Sequence, residues 1–269
     1  NGGTSTNAGS ATQFVNDGNT SNVNLALTQP DAYCQNNPTV VIPRYAQGAS
    51  NGQYGANAVL YDFPYTAGTT YTDTTVSNYD NPLTHTLTTT AATIGTINSL
   101  EYNRLTNRLY AAAYFKRHSG FGPGADGVLN NSDDPGSIYV VNPSTSAVVT
   151  TFTVPNATTN SHDTGDYATD NGDTGWNATG KTSLGGMALS LDHNRLFVMN
   201  LQDRRLYALD ATTGANLGSS SSITSLTLPT PGGTSTNCST GGSNTNKRPF
   251  AVNYYQGSVY IGVVCTAEN

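Results

Sequence analysis

Two stretches gather short, oxygen-bearing side chains at a density the rest of the chain lacks. In ADGVLNNSDD, residues 125–134, Asp126, Asn130, Asn131, Asp133 and Asp134 fall within nine residues. In HDTGDYATDNGDTGWN, residues 162–177, Asp163, Asp166, Asp170 and Asp173 crowd one loop. Hard cations take six to eight oxygens, and short Asp and Asn side chains in a tight loop supply them. Both stretches are therefore candidate Ca2+ loops, although neither has the spacing of an EF-hand. The competing reading is a polar turn whose Asp and Asn cap their own backbone.

A basic triplet, Lys116-Arg117-His118, precedes the first stretch. It offers an anion or a carboxylate-bearing glycan a guanidinium fork, an ammonium and an imidazole. The plainer reading is a solvated strand end, or salt bridges to the Asp residues of the same loop. Trp176, the single tryptophan, reads first as a plug at a junction in the core and second as a platform for a sugar ring. His85, His162 and His193 lack metal-ligand spacing. No Gly-x-Ser-x-Gly elbow, phosphate loop or dinucleotide fingerprint occurs, so no catalytic residue is assigned.

Composition limits the partners. Only 10% of the 269 residues are charged and the net charge is -6. A nucleic-acid partner would need a basic face. No apolar run is long enough for a membrane span. Thr, Ser, Asn, Gly and 16 Tyr dominate, which suits strands and turns and has the character of a secreted or cell-surface chain. Of three cysteines, Cys238 and Cys265 flank one predicted strand pair and are paired in this reading, leaving Cys34 free or paired outside the chain. Three buried thiols are the alternative. Asn19, Asn130, Asn156, Asn177 and Asn237 each head an Asn-x-Ser/Thr sequon.

The elements that carry these residues repeat. SLEYNRLTNRLYAA from Ser99 aligns without a gap to GMALSLDHNRLFVM from Gly186, and PFAVNYYQGSVYIG from Pro249 is a third copy with Phe250 set on Met187. Each reads as strand, turn, strand with period two. GSIYVVNPSTSAVV aligns with RRLYALDATTGANL, giving a third strand, a turn and an outer fourth. Four antiparallel strands per repeat predict an all-β fold of β-propeller blades, incomplete within this chain. The blades are placed at about 30–95, 96–155, 180–230 and, in part, 245–269, in a single propeller-like domain that continues beyond 269. Nine residues separate Leu196 from Leu206, whereas twenty-eight separate Leu109 from Ile138. Residues 115–135 are thus an inter-strand insertion, and its 120–135 loop is expected to lie exposed on one face.

At AAYFKRHSGFGPG, IYVVNP and RPFAVNYYQGSVYIGVVCTAEN the chain resembles large bacterial cell-surface proteins. These have a propeller-like N-terminal region followed by serine-aspartate-repeat B-type or similar β-sandwich modules. The resemblance covers roughly residues 80–269 and implies an extracellular location with no reaction attached. Asp126 to Pro135 depart from that pattern. The expectation is an extracellular, non-catalytic surface protein for adhesion or structural display, with other surface proteins, glycans or its own copies as partners. The alternatives are a filament or sheath subunit completed by neighbouring chains, and a propeller polysaccharide lyase or hydrolase, which needs a carboxylate pair or a His/Tyr/Arg cluster at a channel mouth.

Overall fold

The computed structural model describes residues 38–64, 86–129, 134–162, 173–225 and 247–266. The chain divides into two compact units, Asn1–Val40 with Asp62–Thr84, and Val41–Tyr61 with His85–Asn269. Strands β1 (Thr39–Pro43) and β2 (Leu60–Pro64) form a two-stranded sheet. A four-residue helix α1 (Ala91–Ile94) follows. Strands β3 (Ile97–Asn103), β4 (Arg108–Ala113), β5 (Ser137–Val141) and β6 (Val148–Thr153) then pair in chain order as one antiparallel sheet. After α2 (Asp173–Ala178), β7 (Leu184–Leu189), β8 (Arg195–Asn200), β9 (Arg205–Asp210) and β10 (Asn216–Ser219) repeat the arrangement. Strands β11 (Lys247–Tyr255) and β12 (Ser258–Cys265) form an antiparallel hairpin.

The fold is thus all-β, with antiparallel four-stranded sheets, two short α-helices and two 3-10 turns among the described residues. The repeat holds at the level of register. Tyr102 faces Leu109 and Leu100 faces Ala111 in the first sheet; the aligned Leu189 faces Leu196 and Met187 faces Val198 in the second. The turn after the third strand is also shared. Asn142 N–H donates to Ala147 O at 2.9 Å, and Asp210 N–H to Ala215 O at 2.8 Å. The turns are opened by Asx caps: Asn103 Oδ1 accepts Leu105 N–H, Asn200 Oδ1 accepts Gln202 N–H, and Asp210 Oδ1 accepts Thr212 N–H. Such caps satisfy backbone donors that the turn leaves free of the ladder.

The third copy differs. Val252 pairs with Ile261 and Tyr254 with Val259, so the first strand sits two residues from its gap-free alignment. Its turn is Gln256-Gly257, two residues shorter than Arg104–Asn107. A shift of two keeps every side chain on its own face, and periodicity alone does not register it. The stretch DNPLTHTLT, residues 80–88, which alternation marks as an outer strand of the earliest repeat, forms no strand at 86–88; residues 80–85 lie outside the described residues. Thr89 O instead accepts Val59 N–H at 2.8 Å.

Three apolar layers separate the sheets. Leu109, Ala111, Ala113, Tyr139 and Val141 face Leu60, Ile94, Phe115 and Phe121. The opposite face of the same sheet, through Tyr110, Ala112, Ile138 and Val140, meets Leu184, Met187, Leu196, Val198, Tyr207 and Leu209. The far side of the second sheet, through Met199, Leu201 and Leu206, packs on Phe250, Val252, Ile261 and Val263. Period-two side chains dress both faces of each sheet, and burying each large apolar group contributes about 1.5–3 kcal/mol. Tyr110 crosses its layer and donates its hydroxyl to Ala211 O at 2.6 Å.

First strands of successive sheets run close together. Ser99 Oγ accepts Met187 N–H at 2.9 Å, the Glu101 carboxylate accepts Leu189 N–H, and Asn103 Nδ2 donates to His193 O at 3.3 Å. Residues 99, 101 and 103 share one face, so their side chains cover the free edge of β7. Between β7 and β11 the backbones themselves approach: a Cβ on Gly186 would lie 2.6 Å from Val252 N.

Candidate functional site

Between β4 and β5, residues 114–129 and 134–136 are described, and 114–122 are tied to distant parts of the chain. Tyr114 N–H donates to Thr96 O, Thr96 N–H and Oγ1 both reach Gly120 O at 2.9 Å, and Ser50 Oγ donates to the same carbonyl at 2.9 Å. Gly48 N–H donates to His118 O, and Gly120 N–H donates back to Gly48 O, both at 2.9 Å. Ser119 Oγ donates to Ala46 O at 2.5 Å. The chain then crosses α1 so closely that a Cβ on Gly95 would lie 2.0 Å from Gly122 N.

The expected exposure of the 120–135 loop is therefore corrected over its first residues, Gly120 to Gly124. Phe115 and Phe121 are fully buried and Ser119 to Gly122 are buried. The two aromatic rings are apolar enough to be drawn into the first layer, and the backbone polar groups beside them find the partners above. Among its described residues, Lys116 and Ala125 to Val128 stand exposed.

One tight turn stays at the surface, closed by an antiparallel bridge between Lys116 and Ser119. Its cations are flanked by aromatic rings from distant parts of the chain. Lys116 Nζ lies 4.9 Å from the centroid of Tyr45, and the Arg117 guanidinium 4.1 Å from that of Trp176. Arg117 Nε donates to His118 Nε2 at 3.0 Å. Burial raises the Tyr45 hydroxyl pKa, with a smaller contribution from Tyr114. The His162 ring lies tilted 4.6 Å from Phe115 and edge-on 5.9 Å from Phe121.

Trp176 is 64% exposed, which overturns its expected place in the core. It sits on a helix of only six residues, and its ring is held by Arg117 from the insertion. Lys116 and Arg117 each lie against a π face. A guanidinium stacked on tryptophan keeps its planar N–H fork available to a carboxylate.

The acidic residues divide. Asp126 Oδ1 accepts Val128 N–H at 2.9 Å, a turn that caps itself. Asp134 packs against Gly124, whose absent Cβ would lie 2.3 Å from Oδ2. Asn130, Asn131, Asp133, Asp163, Asp166 and Asp170 lie outside the described residues, as does the side chain of Asp173. Among the described residues no three His, Cys, Asp or Glu gather to hold a metal ion.

The pairing of Cys238 with Cys265, Cys34, and the sequons at Asn19, Asn130 and Asn237 likewise fall outside them. Asn177 is exposed. Asn156 is exposed too, but its Nδ2 already donates to Tyr207 Oη at 2.8 Å and to Asp203 Oδ2 at 3.3 Å. His85 is outside the described residues. His193 sits in the β7–β8 turn at φ 60°.

Two residues escaped the sequence reading. Tyr45 has no local signal, since contacts of residues 46–50 with the distant 118–120 segment bring it beside Lys116. Glu101 is one of the chain's two glutamates, and burial pushes its carboxyl up to about 7 against the lowering effect of Leu189 N–H. An acidic residue within a run of period-two strand positions was the available clue.

No family model matches the chain. The chain is 24% identical over 249 residues to Colossin-D of Dictyostelium discoideum, an alignment covering 91% of this chain and 24% of that protein. It therefore spans about a quarter of the length of that curated relative. Among solved structures, Citrobacter koseri AztD shares 13% identity over 62% of this chain and 40% of its own, with a TM-score of 0.23.

Proposed function

We propose that the chain is a propeller-like portion of an extracellular surface protein that recognises carboxylate-bearing glycans without catalysis. The observation that carries this reading is the Arg117 guanidinium 4.1 Å over a Trp176 ring that is 64% exposed. An exposed aromatic face accepts the C–H face of a sugar, and the adjoining fork accepts a uronate carboxylate in bidentate fashion. Lys116 adds positive charge at the same turn. Two four-stranded sheets and a hairpin packed in series support the propeller arrangement, and a chain with 10% charged residues supports the extracellular setting.

Calorimetry with a uronic-acid oligosaccharide and its neutral counterpart of equal length tests the site. The acidic oligosaccharide binds and the neutral one binds weakly. Trp176→Ala and Arg117→Ala each weaken binding by about tenfold, the worth of one stacking or charge-assisted contact. Equal affinity for both oligosaccharides, or unchanged affinity in both variants, rejects the reading.

A Ca2+ ion in the loops of Asp126–Asp134 and Asp163–Asp173 belongs to the same proposal. A cation bound only by the folded chain raises the melting midpoint with the logarithm of its concentration. Melting curves with calcium and with chelator measure it, and an unchanged midpoint removes the ion. Asp133→Asn with Asp134→Asn then assigns any shift to the first loop.

The enzyme alternative has one supporting observation, the raised Glu101 pKa. That carboxylate accepts Leu189 N–H across two strands, a duty in packing, and the surface turn is the better candidate.

A further inference from the structure

We propose that the Lys116–Ser119 turn carries two anion subsites, so that its ligand is an acidic polysaccharide with charged groups on neighbouring sugars and not a single terminal uronate. This rests on the glycan reading and deepens it. The first subsite is Arg117 with Trp176, and the second is Lys116 with Tyr45.

The turn sets the two side by side. Ser119 N–H donates to Lys116 O at 2.9 Å, which makes Lys116 the first and Arg117 the second residue of a β-turn. Their side chains reach different parts of the chain. The Arg117 guanidinium lies over Trp176 of α2, and Lys116 Nζ lies over Tyr45. Each cation thus has an aromatic ring of its own.

Both rings keep surface for a sugar. Tyr45 is 37% and Trp176 64% exposed, and Lys116 is exposed as well. A charge beside an apolar ring suits an acidic sugar, which presents an anionic group together with a C–H face. An acidic peptide matches the charge but offers its carboxylates on flexible stems, without that face.

The second subsite is also held in place. Ser119, which ends the turn, donates its hydroxyl to the carbonyl of Ala46, next to Tyr45, at 2.5 Å. Gly48 N–H donates to His118 O and Gly120 N–H to Gly48 O, both at 2.9 Å. Tyr45 therefore needs little ordering when a ligand arrives. A sugar held at one subsite presents its neighbour to the other at high effective concentration. The two differ in selectivity, since the Arg117 fork favours a planar carboxylate and the Lys116 ammonium is a point charge.

Trp176 is the chain's single tryptophan, so its one indole N–H resonance reports the first subsite directly. Galacturonate and its tetramer are titrated against that resonance. The tetramer binds at least about twentyfold tighter than the monomer, beyond the about fourfold that four equivalent sugars supply by counting. Lys116→Gln and Tyr45→Ser each weaken the tetramer by about tenfold and leave the monomer within about twofold, with the indole resonance of the free protein unmoved. A gain no larger than counting supplies overturns this inference and leaves the glycan reading standing. So does Lys116→Gln weakening both lengths equally while Tyr45→Ser weakens neither, because the lysine then adds only diffuse charge. Tetraglutamate bound as tightly as the tetramer overturns the polysaccharide as occupant. A parent that binds neither length overturns both readings.

Discussion

Alanine at Gly95 costs about 3–5 kcal/mol, by far more than alanine at the nearby Gly127. Gly95 caps α1 at φ 62°, ψ -148°, a region essentially confined to glycine. Strain there costs about 1–3 kcal/mol. The new Cβ would also lie 2.0 Å from Gly122 N and 2.3 Å from Phe121 C. Both are backbone atoms, so relief requires moving the strand of insertion that carries Phe121, and overpacking of this kind adds about 1–3 kcal/mol. Gly127, at φ 72°, has nothing within 4 Å of its would-be Cβ and bears only the conformational cost, about 1 kcal/mol. Thermal unfolding separates the two: for a chain of this size each kcal/mol moves the midpoint by about 2–4 °C. Equal midpoints for the two variants would show that the crossing at Gly122 does not hold the insertion in place. Because the Lys116–Ser119 turn hangs from that crossing, Gly95→Ala is also expected to lose glycan binding while Gly127→Ala keeps it.

The repeated strands were legible because their signals are local. Asn-Arg-Leu-aromatic recurs at 107–110 and 194–197, and an Asn or Asp that opens each turn bonds its own backbone within three residues. What escaped depends on residues far apart in sequence. The insertion was identified by its length, but its burial follows from two Phe residues and from hydrogen bonds to residues 46–50 and 96, none of which composition weighs. Trp176 looked like a core residue because large aromatics seldom stand exposed; its ring is held by Arg117, fifty-nine positions earlier. The slip in the third hairpin was invisible because two residues return a strand to the same face.

Glutamine at Glu101 should stabilise the protein above neutral pH and leave it unchanged in acid. Burial raises the Glu101 carboxyl from 4.5 to about 7, and the hydrogen bond from Leu189 N–H, which favours the charged form, only partly offsets it. Below pH 4.5 the group is protonated whether the chain is folded or not, and folding carries no penalty. As pH rises from 4.5 towards 7 the unfolded chain releases its proton while the folded chain keeps it, so stability falls; above about 7 the loss is complete. The shift would correspond to about 3 kcal/mol for a dry site, and partial access of solvent reduces it to about 1–2 kcal/mol. Glutamine keeps an acceptor for Leu189 N–H and removes the titrating proton. Melting midpoints of parent and variant should therefore coincide near pH 4 and separate by about 2–8 °C at pH 8, the variant higher. Parallel curves across that range would mean that Glu101 is ionised in the folded state at neutral pH, its charge tolerated between β3 and β7. A lower midpoint for glutamine at pH 8 would mean that the ionised carboxylate is itself the staple between the two strands.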